Sequence, residues 1–295
     1  VGGDEPAGQV AESFGYKWSR RSSYESDSFA TWYEAWLLQK YGFDDADHLR
    51  SHFARFKRVL EIGCGSGMSS VISLNGLGPD QRWVGLDLSS AVDVAAQRMG
   101  DRPNTAFVQA DALALPFAPG TFDAIFSEGV LHHTPSTRRA LAAATSVLAP
   151  GGELMFYVYA TKAPIREAAD DLLRERVSKM TPEEAWLAMG PLTRLAQALA
   201  DLNVTVEVPE DVPLLGIKAG PYDVQRLLYW HFAKLFWNPA MGFEGSQHVN
   251  FDWYHPLYAH RQSETEIRTW CSELGLNIIH FHVQESGYTV RAIRA

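Results

Sequence analysis

"VLEIGCGSGMS", residues 59–69, decides how the chain is to be read. An apolar run of strand character empties into Gly63, Gly65 and Gly67, three glycines within five positions, at the point where a helix should begin. Glycine there admits unusual dihedrals and lets a partner touch the backbone. Outward from this loop, short β-type runs alternate with helical stretches: "RVLEI", "RWVGLDL", "TAFVQA", "FDAIFS" and "ELMFYVY". Such alternation predicts a parallel sheet with helical crossovers. After "ELMFYVY" the rhythm breaks, and it resumes with a helix near 264–274, a strand "LNIIHFHV", the short turn "ESG" and a last strand "YTVRAIR". The short turn makes that pair a hairpin, so the last strand runs backwards. The expected fold is an α/β doubly wound sheet with an antiparallel last strand and a helical insertion over 161–262.

Composition narrows the partners. The 295 residues are 46% hydrophobic and 21% charged, as in ordinary globular proteins. Lys and Arg number 26 against 35 Asp and Glu, a formal charge of −9, which repels phosphate backbones and anionic membranes. A small-molecule partner is therefore expected, with no nucleic acid and no membrane. Cys64 and Cys271 form no CxxC pair and read as free thiols of a reducing, cytoplasmic compartment. The beginning of the chain lacks the basic-then-apolar layout of a secretory leader, and Val1 is not an initiator methionine, so sequence upstream is expected to be missing.

Ligands of open α/β sheets bind at the carboxyl ends of the strands, and three acids stand there. Glu61, two residues before the first glycine, would repel a pyrophosphate and suits an ammonium group. Asp87 ends the second run, twenty residues beyond Gly67, where a carboxylate can accept both hydroxyls of a ribose. Asp111, after the third, could accept from an adenine amino group, with the Ala112 N–H turned to the ring. A nicotinamide-dependent dehydrogenase fits less well, because Met68 replaces the third glycine of GxGxxG.

With these residues in view, the chain resembles the class I S-adenosylmethionine-dependent methyltransferases, especially their small-molecule branch. "VLEIGCGSG" is similar to the family's glycine motif, "VGLDLS" to its ribose acid, "QADALALPFAPGTFDAIFSEGVLHHTP" to its adenine and post-strand-four motifs, and "LAPGGELMF" leads into its fifth strand. The resemblance covers about 56–160 and 263–295. It implies a Rossmann-like core, S-adenosylmethionine as cofactor, and Glu61 with the loop glycines and Cys64 near the methionine moiety. It further implies Asp87 at the ribose, with Leu88 beside it as a cofactor contact, Asp111 and Ala112 at adenine, and Ser127 and Glu128 near the sulfonium. On this reading residues 1–55 are N-terminal lid helices, 56–160 the cofactor core, 161–262 an aromatic-rich helical cap and 263–295 the end of the core sheet.

The remaining assignments concern the acceptor. In "SEGVLHHTP", Glu128, His132 and His133 are the catalytic candidates, histidine because its pKa lies near neutrality. "SDSFATWYEAWLLQKYG" spaces Phe29, Trp32, Tyr33, Trp36 and Leu37 as one apolar helix face. Phe14, Tyr16 and Trp18 lie outside any evident helical period, and similar methyltransferases fold such a segment over the cofactor, which makes Tyr16 a candidate contact. "TPEE" at 181–184 is a capping box with proline at the first helical position. Eleven aromatics fall within the 37 residues 222–258, which suits either a cap with its own core or an aromatic acceptor pocket; Tyr157, Trp230, Trp253, Tyr254 and His255 are the acceptor candidates. The spacing of His231, His248, His255 and His260 matches no metal motif, so no metal is expected. Two alternatives stay open: transfer of a carboxymethyl or aminopropyl group from a modified sulfonium, which would need a cation near Glu128 such as Arg20 or Arg21, and a non-catalytic nucleoside-binding module. Oligomeric state is not legible.

Overall fold

The computed structural model describes residues 5–74, 78–100 and 102–295. Three helices come first, α1 (Glu5–Ser19), α2 (Asp27–Tyr41) and α3 (Ala46–Phe53). The alternating part follows: β1 (Arg58–Ile62), α4 (Met68–Leu74), β2 (Arg82–Asp87), α5 (Ala91–Met99), β3 (Thr105–Gln109), β4 (Phe122–Glu128), α6 (Thr137–Val147) and β5 (Leu148–Tyr159). Next come α7 (Pro164–Val177), α8 (Pro182–Asp201), β6 (Thr205–Val208), β7 (Gly220–Asp223), α9 (Val224–His231) and α10 (Gly242–Tyr254). The chain closes with α11 (Glu264–Glu273), β8 (Leu276–Val283) and β9 (Gly287–Arg294).

These elements form two compact units. One comprises Tyr33–Ala160 and Tyr258–Ala295 and contains the seven-stranded sheet, ordered β3-β2-β1-β4-β5-β9-β8. β1 to β5 pair in parallel, while β9 lies antiparallel between β5 and β8. This is the Rossmann-like sheet with a reversed last strand. Side chains alternate between its faces with the period of two that a strand imposes. Leu60, Ile62, Ile125, Phe156, Val158 and Val290 meet Leu141 of α6 and Ile267 and Cys271 of α11. Val59, Trp83, Ala124, Phe126 and Met155 meet Leu37 and Tyr41 of α2 and Leu49 and Phe53 of α3. Burying any one of these large side chains contributes about 1.5–3 kcal/mol, so α2 is a structural part of this sheet's core. β5 starts five residues before "ELMFYVY", because Leu148 already pairs with Phe122 before the register shifts at Ala124.

The other unit comprises the residues up to Trp32 with Thr161–Leu257. Its helix α8 starts at the full capping box of Thr181 and Glu184, with Pro182 in the first turn. Besides helices it holds an antiparallel pair, β6 with β7, which the sequence reading did not foresee. A second difference is α1, which runs through Phe14, Tyr16 and Trp18. Among its described side chains the buried positions are Val10, Ser13 and Lys17, so the inward stripe is largely polar and hides from a search for apolar periodicity. Among the described residues no helix is long and apolar enough to cross a membrane.

Candidate functional site

At the carboxyl end of β1 the chain turns sharply. The Gly63 and Cys64 N–H groups both donate to the Leu86 carbonyl, at 2.6 and 3.0 Å. Gly63 adopts φ +75°, and a Cβ there would stand 2.1 Å from Val130 Cγ2, so only glycine fits. The loop is held from the side by Asp87, whose Oδ2 accepts from the Gly65 N–H at 2.9 Å. Asp87 Oδ1 accepts from the Ser89 N–H and hydroxyl at 2.8 and 2.7 Å, which fixes the buried carboxylate at the end of β2. Leu88 is half-buried beside it. Burial, together with the Asp87 and Glu61 charges, pushes the Cys64 thiol far up, so it is no nucleophile.

Glu61 shares the β1 face of Val59 and is 1% exposed. Its oxygens accept from the Ser69 and Ser70 hydroxyls of α4 and from Trp83 Nε1 at 3.2 Å. Burial raises its pKa to about 7 against the pull of those three donors. Asp111 caps the turn after β3, accepting from the Leu113 N–H at 2.8 Å, and Ala112 is buried beside it.

β4 delivers Ser127 and Glu128. The Ser127 hydroxyl donates to the Ile62 carbonyl at 3.2 Å. Glu128 lies on the sheet face covered by α2 and accepts from the Lys40 ammonium and, at 2.8 Å, from the Tyr41 hydroxyl. Lys40 has no exposed surface, and its ammonium lies 3.4 Å from the Trp36 ring centre and 3.8 Å from that of Tyr157. Burial lowers its pKa to about 8 although Glu128 pulls the other way. Burial likewise raises Glu128, opposed by Lys40 and Tyr41.

The chain then makes a single 3₁₀ turn, Leu131–His133. His132 is fully buried with its ring 3.7 Å from that of Tyr159, centre to centre. His133 Nδ1 lies 2.6 Å from the Tyr258 carbonyl, which can only accept; Nδ1 therefore carries the proton and Nε2 is the basic nitrogen of the neutral ring.

Glu61, Gly63, Cys64, Gly65, Gly67, Asp87, Leu88, Asp111, Ala112, Ser127, Glu128, His132, His133 and Tyr157 thus gather toward the carboxyl ends of the five parallel strands. Tyr16, Trp230, Trp253, Tyr254 and His255 lie in the other unit. Tyr16 packs on Trp186 and Phe251, and Trp230 stands edge-on to Tyr229. Trp253 and Tyr254 donate to Asp170 at 2.8 and 2.7 Å. His255 donates from Nε2 to the Met180 carbonyl and its Nδ1 lies 2.8 Å from the Ser13 hydroxyl; burial lowers its pKa, opposed by the Met180 bond and the Glu12 charge. Among the described residues no three His, Cys, Asp or Glu side chains gather to hold a metal ion.

Lys40 is the site residue that sequence reasoning missed. It continues the apolar face of α2, eleven residues after Phe29 and four after Trp36, and a lysine in that register was the available signal.

Comparison with known proteins bears on residues 60–156, which match the family described as "Methyltransferase domain". A phthiotriol/phenolphthiotriol dimycocerosates methyltransferase of Mycobacterium ulcerans is 36% identical over 141 residues, 48% of this chain and 46% of that protein. A Xenopus tropicalis tRNA (carboxymethyluridine(34)-5-O)-methyltransferase is 28% identical over 177 residues, 59% of this chain and 24% of that one. The chain thus spans about half the length of the mycobacterial relatives and less of others. Among solved structures, a possible exported protein of Bordetella parapertussis shares the fold, with TM-score 0.50 at 16% identity over 95% of this chain and 79% of the other.

Proposed function

We propose that this chain, whose core belongs to the class I S-adenosylmethionine-dependent methyltransferases, transfers a methyl group to a small-molecule acceptor. The observation that carries the reading is the succession of acids Glu61, Asp87 and Asp111 at or just past the ends of the neighbouring strands β1, β2 and β3, with Asp87 bonded to the glycine loop. The donor set fits the cofactor: among the described residues Glu61 is surrounded by neutral donors, which suits a cationic ligand group, and Asp87 is fixed where an acceptor of hydroxyls is needed. Bound S-adenosylmethionine supplies an electrophilic methyl carbon. Glu61 would hold the ammonium, with Gly63, Cys64, Gly65 and Gly67 against the methionine end. Asp87 and Leu88 would hold the ribose, Asp111 and Ala112 adenine, and Ser127 and Glu128 the region of the sulfonium. Tyr16 remains a proposed contact from α1. For displacement the acceptor must be held in line within about 3–3.5 Å, and that positioning supplies much of the rate.

Small molecules are favoured by the charge of −9, and the mycobacterial relatives' name places their acceptors among dimycocerosates rather than RNA. Tyr157, Trp230, Trp253, Tyr254 and His255 are the proposed acceptor contacts. Where the acceptor keeps a proton, His133 Nε2 is the proposed base. His133→Gln is then expected to cut turnover by about 10²-fold or more with cofactor affinity unchanged, whereas His132→Phe, which keeps the packing on Tyr159, should cost less. A larger loss for His132→Phe than for His133→Gln in single-turnover assays would reverse the two assignments.

Calorimetric titration with S-adenosylmethionine and S-adenosylhomocysteine, with NAD as competitor, tests the cofactor. Micromolar binding indifferent to NAD is expected, and no binding by folded, ligand-free protein overturns the reading. Labelled cofactor incubated with a small-molecule extract and with RNA then identifies the acceptor class; a nucleoside-binding module would transfer nothing. The titration also has a pH signature. Glu61 ionises in the folded protein only near pH 7, so an ammonium partner should bind more tightly as pH rises from 6 to 8, and Glu61→Gln should flatten that rise.

Transfer of a carboxymethyl or aminopropyl group is the alternative. A carboxylate on a modified sulfonium would need a cation near Glu128; Lys40 stands there but is already paired with Glu128, as Arg21 is with Glu25. Mass spectrometry of the product distinguishes methyl from carboxymethyl or aminopropyl transfer.

A further inference from the structure

Apart from the strand ends, the densest buried charge lies around Trp253, within the unit of Thr161–Leu257. Lys234 Nζ is 4.3 Å from the indole centre, Arg166 and Arg174 Cζ are at 5.5 and 5.7 Å, and Lys162 Nζ at 6.0 Å. Arg166 is 0% exposed, Lys234 5% and Arg174 6%. Arg166, Asp170 and Arg174 are spaced by four along α7 and so share one face. Asp170 is the fully buried carboxylate of this cluster, and its capacity is used up. Oδ2 accepts from Arg166 Nε and Trp253 Nε1, and Oδ1 from the Tyr254 hydroxyl and the Lys234 backbone N–H. Four donors fill the four lone-pair sites of a carboxylate. Asp170 therefore matches Arg166 and has nothing left for the Lys234 ammonium. Asp252 is engaged by Lys17 at 2.6 Å, and Asp171, which meets Arg174, is largely in solvent. Among the described residues Lys234 has no ion pair of its own. An indole face offsets only part of the desolvation of one cation, and here several cations share one ring.

We infer that this cluster is an oxyanion-binding site, which takes a carboxylate or phosphate group of a small molecule against Lys234 and Lys162 with the Trp253 ring as its apolar wall. An anion supplies the missing negative charge, and the ammonium groups donate to it. The site has a protonation signature. Burial first, and for Lys162 the neighbouring Arg166 and Lys234 next, lowers both lysines to about 7. Asp252 and Asp170 pull Lys234 up, and Arg166 and Arg174 push it down; Glu167 and Asp170 pull Lys162 up. An added anion favours the charged amines, so binding should take up protons and weaken as pH rises from 6.5 to 8.5. The inference does not depend on methyl transfer, because every group lies in one unit and none is assigned to the cofactor.

The test is calorimetric titration of the full chain with inorganic phosphate and, separately, with acetate, at constant ionic strength set by chloride, in two buffers of different ionisation enthalpy at pH 7.5. Saturable binding with net proton uptake is expected. Lys234→Met should weaken it by about tenfold or more and remove much of the uptake, whereas Lys234→Arg should keep affinity within a few-fold. Binding of phosphate alone assigns a phosphate group, and of acetate alone a carboxylate. No saturable binding of either probe, or equal binding by Lys234→Met, overturns the proposal. If Lys234→Met does not fold, Lys162→Met is judged by the same criterion. Failure of S-adenosylmethionine to bind the wild-type protein would leave the anion result standing.

Discussion

Asp87→Ala is expected to weaken S-adenosylmethionine binding by about 10²-fold or more, since two hydrogen bonds to a charged group are lost at about 1.5–3 kcal/mol each. The carboxylate also braces the loop through the Gly65 N–H and is itself fixed by Ser89. Loop disorder would therefore add to the lost ribose contact. Asp87→Asn separates the two, because an amide oxygen can keep one bracing bond but is a weaker partner for hydroxyls. If loop support were the whole effect, Asp87→Asn would bind nearly as wild type; with a ribose role it should remain at least about tenfold weaker. Thermal unfolding of each variant shows whether the sheet is intact, and undiminished binding by Asp87→Ala would remove the ribose assignment.

Lys40→Met should be the most damaging single change to the sheet unit. The substitution keeps the volume on the α2 face but leaves Glu128 buried beside Tyr41 with its cation gone. Breaking a buried pair from one side costs about 3–5 kcal/mol. The sign of its pH dependence is fixed. Glu128 already has a raised pKa from burial, and loss of Lys40 raises it further. Such a group contributes fully below its unfolded pKa of about 4.3, and the contribution is lost as pH rises through the folded value. Urea unfolding should therefore show Lys40→Met close to wild type near pH 4.5 and far less stable at pH 8. The double variant Lys40→Met with Glu128→Gln should recover most of the loss, because neither charge is then buried alone. A deficit independent of pH, unrelieved in the double variant, would mean that packing against Trp36 and Tyr157 matters more than charge.

These two residues also mark how far the sequence could be read. Asp87 was legible because its position follows from local rules: a strand ends, a glycine loop lies before it, and the spacing repeats. β1 to β4, the hairpin of β8 and β9, and the capping box at Thr181 were legible for the same reason. Lys40 was not, because its partner is 88 residues away and the pairing exists only once α2 lies on the face that carries Glu128. Trp253, Tyr254 and His255 show the same boundary. Composition marked them as an aromatic concentration, but only the fold reveals that Asp170, Ser13 and Met180 occupy their polar atoms. In α1 the periodicity was present but written in Val10, Ser13 and Lys17, which hydrophobicity alone does not detect.

The place of β9 has a bearing on biosynthesis. β5 pairs on one side with β4, a neighbour in the chain, and on the other with β9, through contacts such as Glu153 to Ile293. While a ribosome makes the 127 residues between Tyr159 and Gly287, at about 5–20 residues per second, the long apolar strand β5 waits with an open edge. Nascent chains in that condition are exposed to wrong pairing, and contacts so distant in sequence close slowly. Stalling the ribosome after residue 262 should therefore yield a protease-sensitive, chaperone-bound chain, and release past residue 294 should allow the whole sheet to become protected in a single cooperative step.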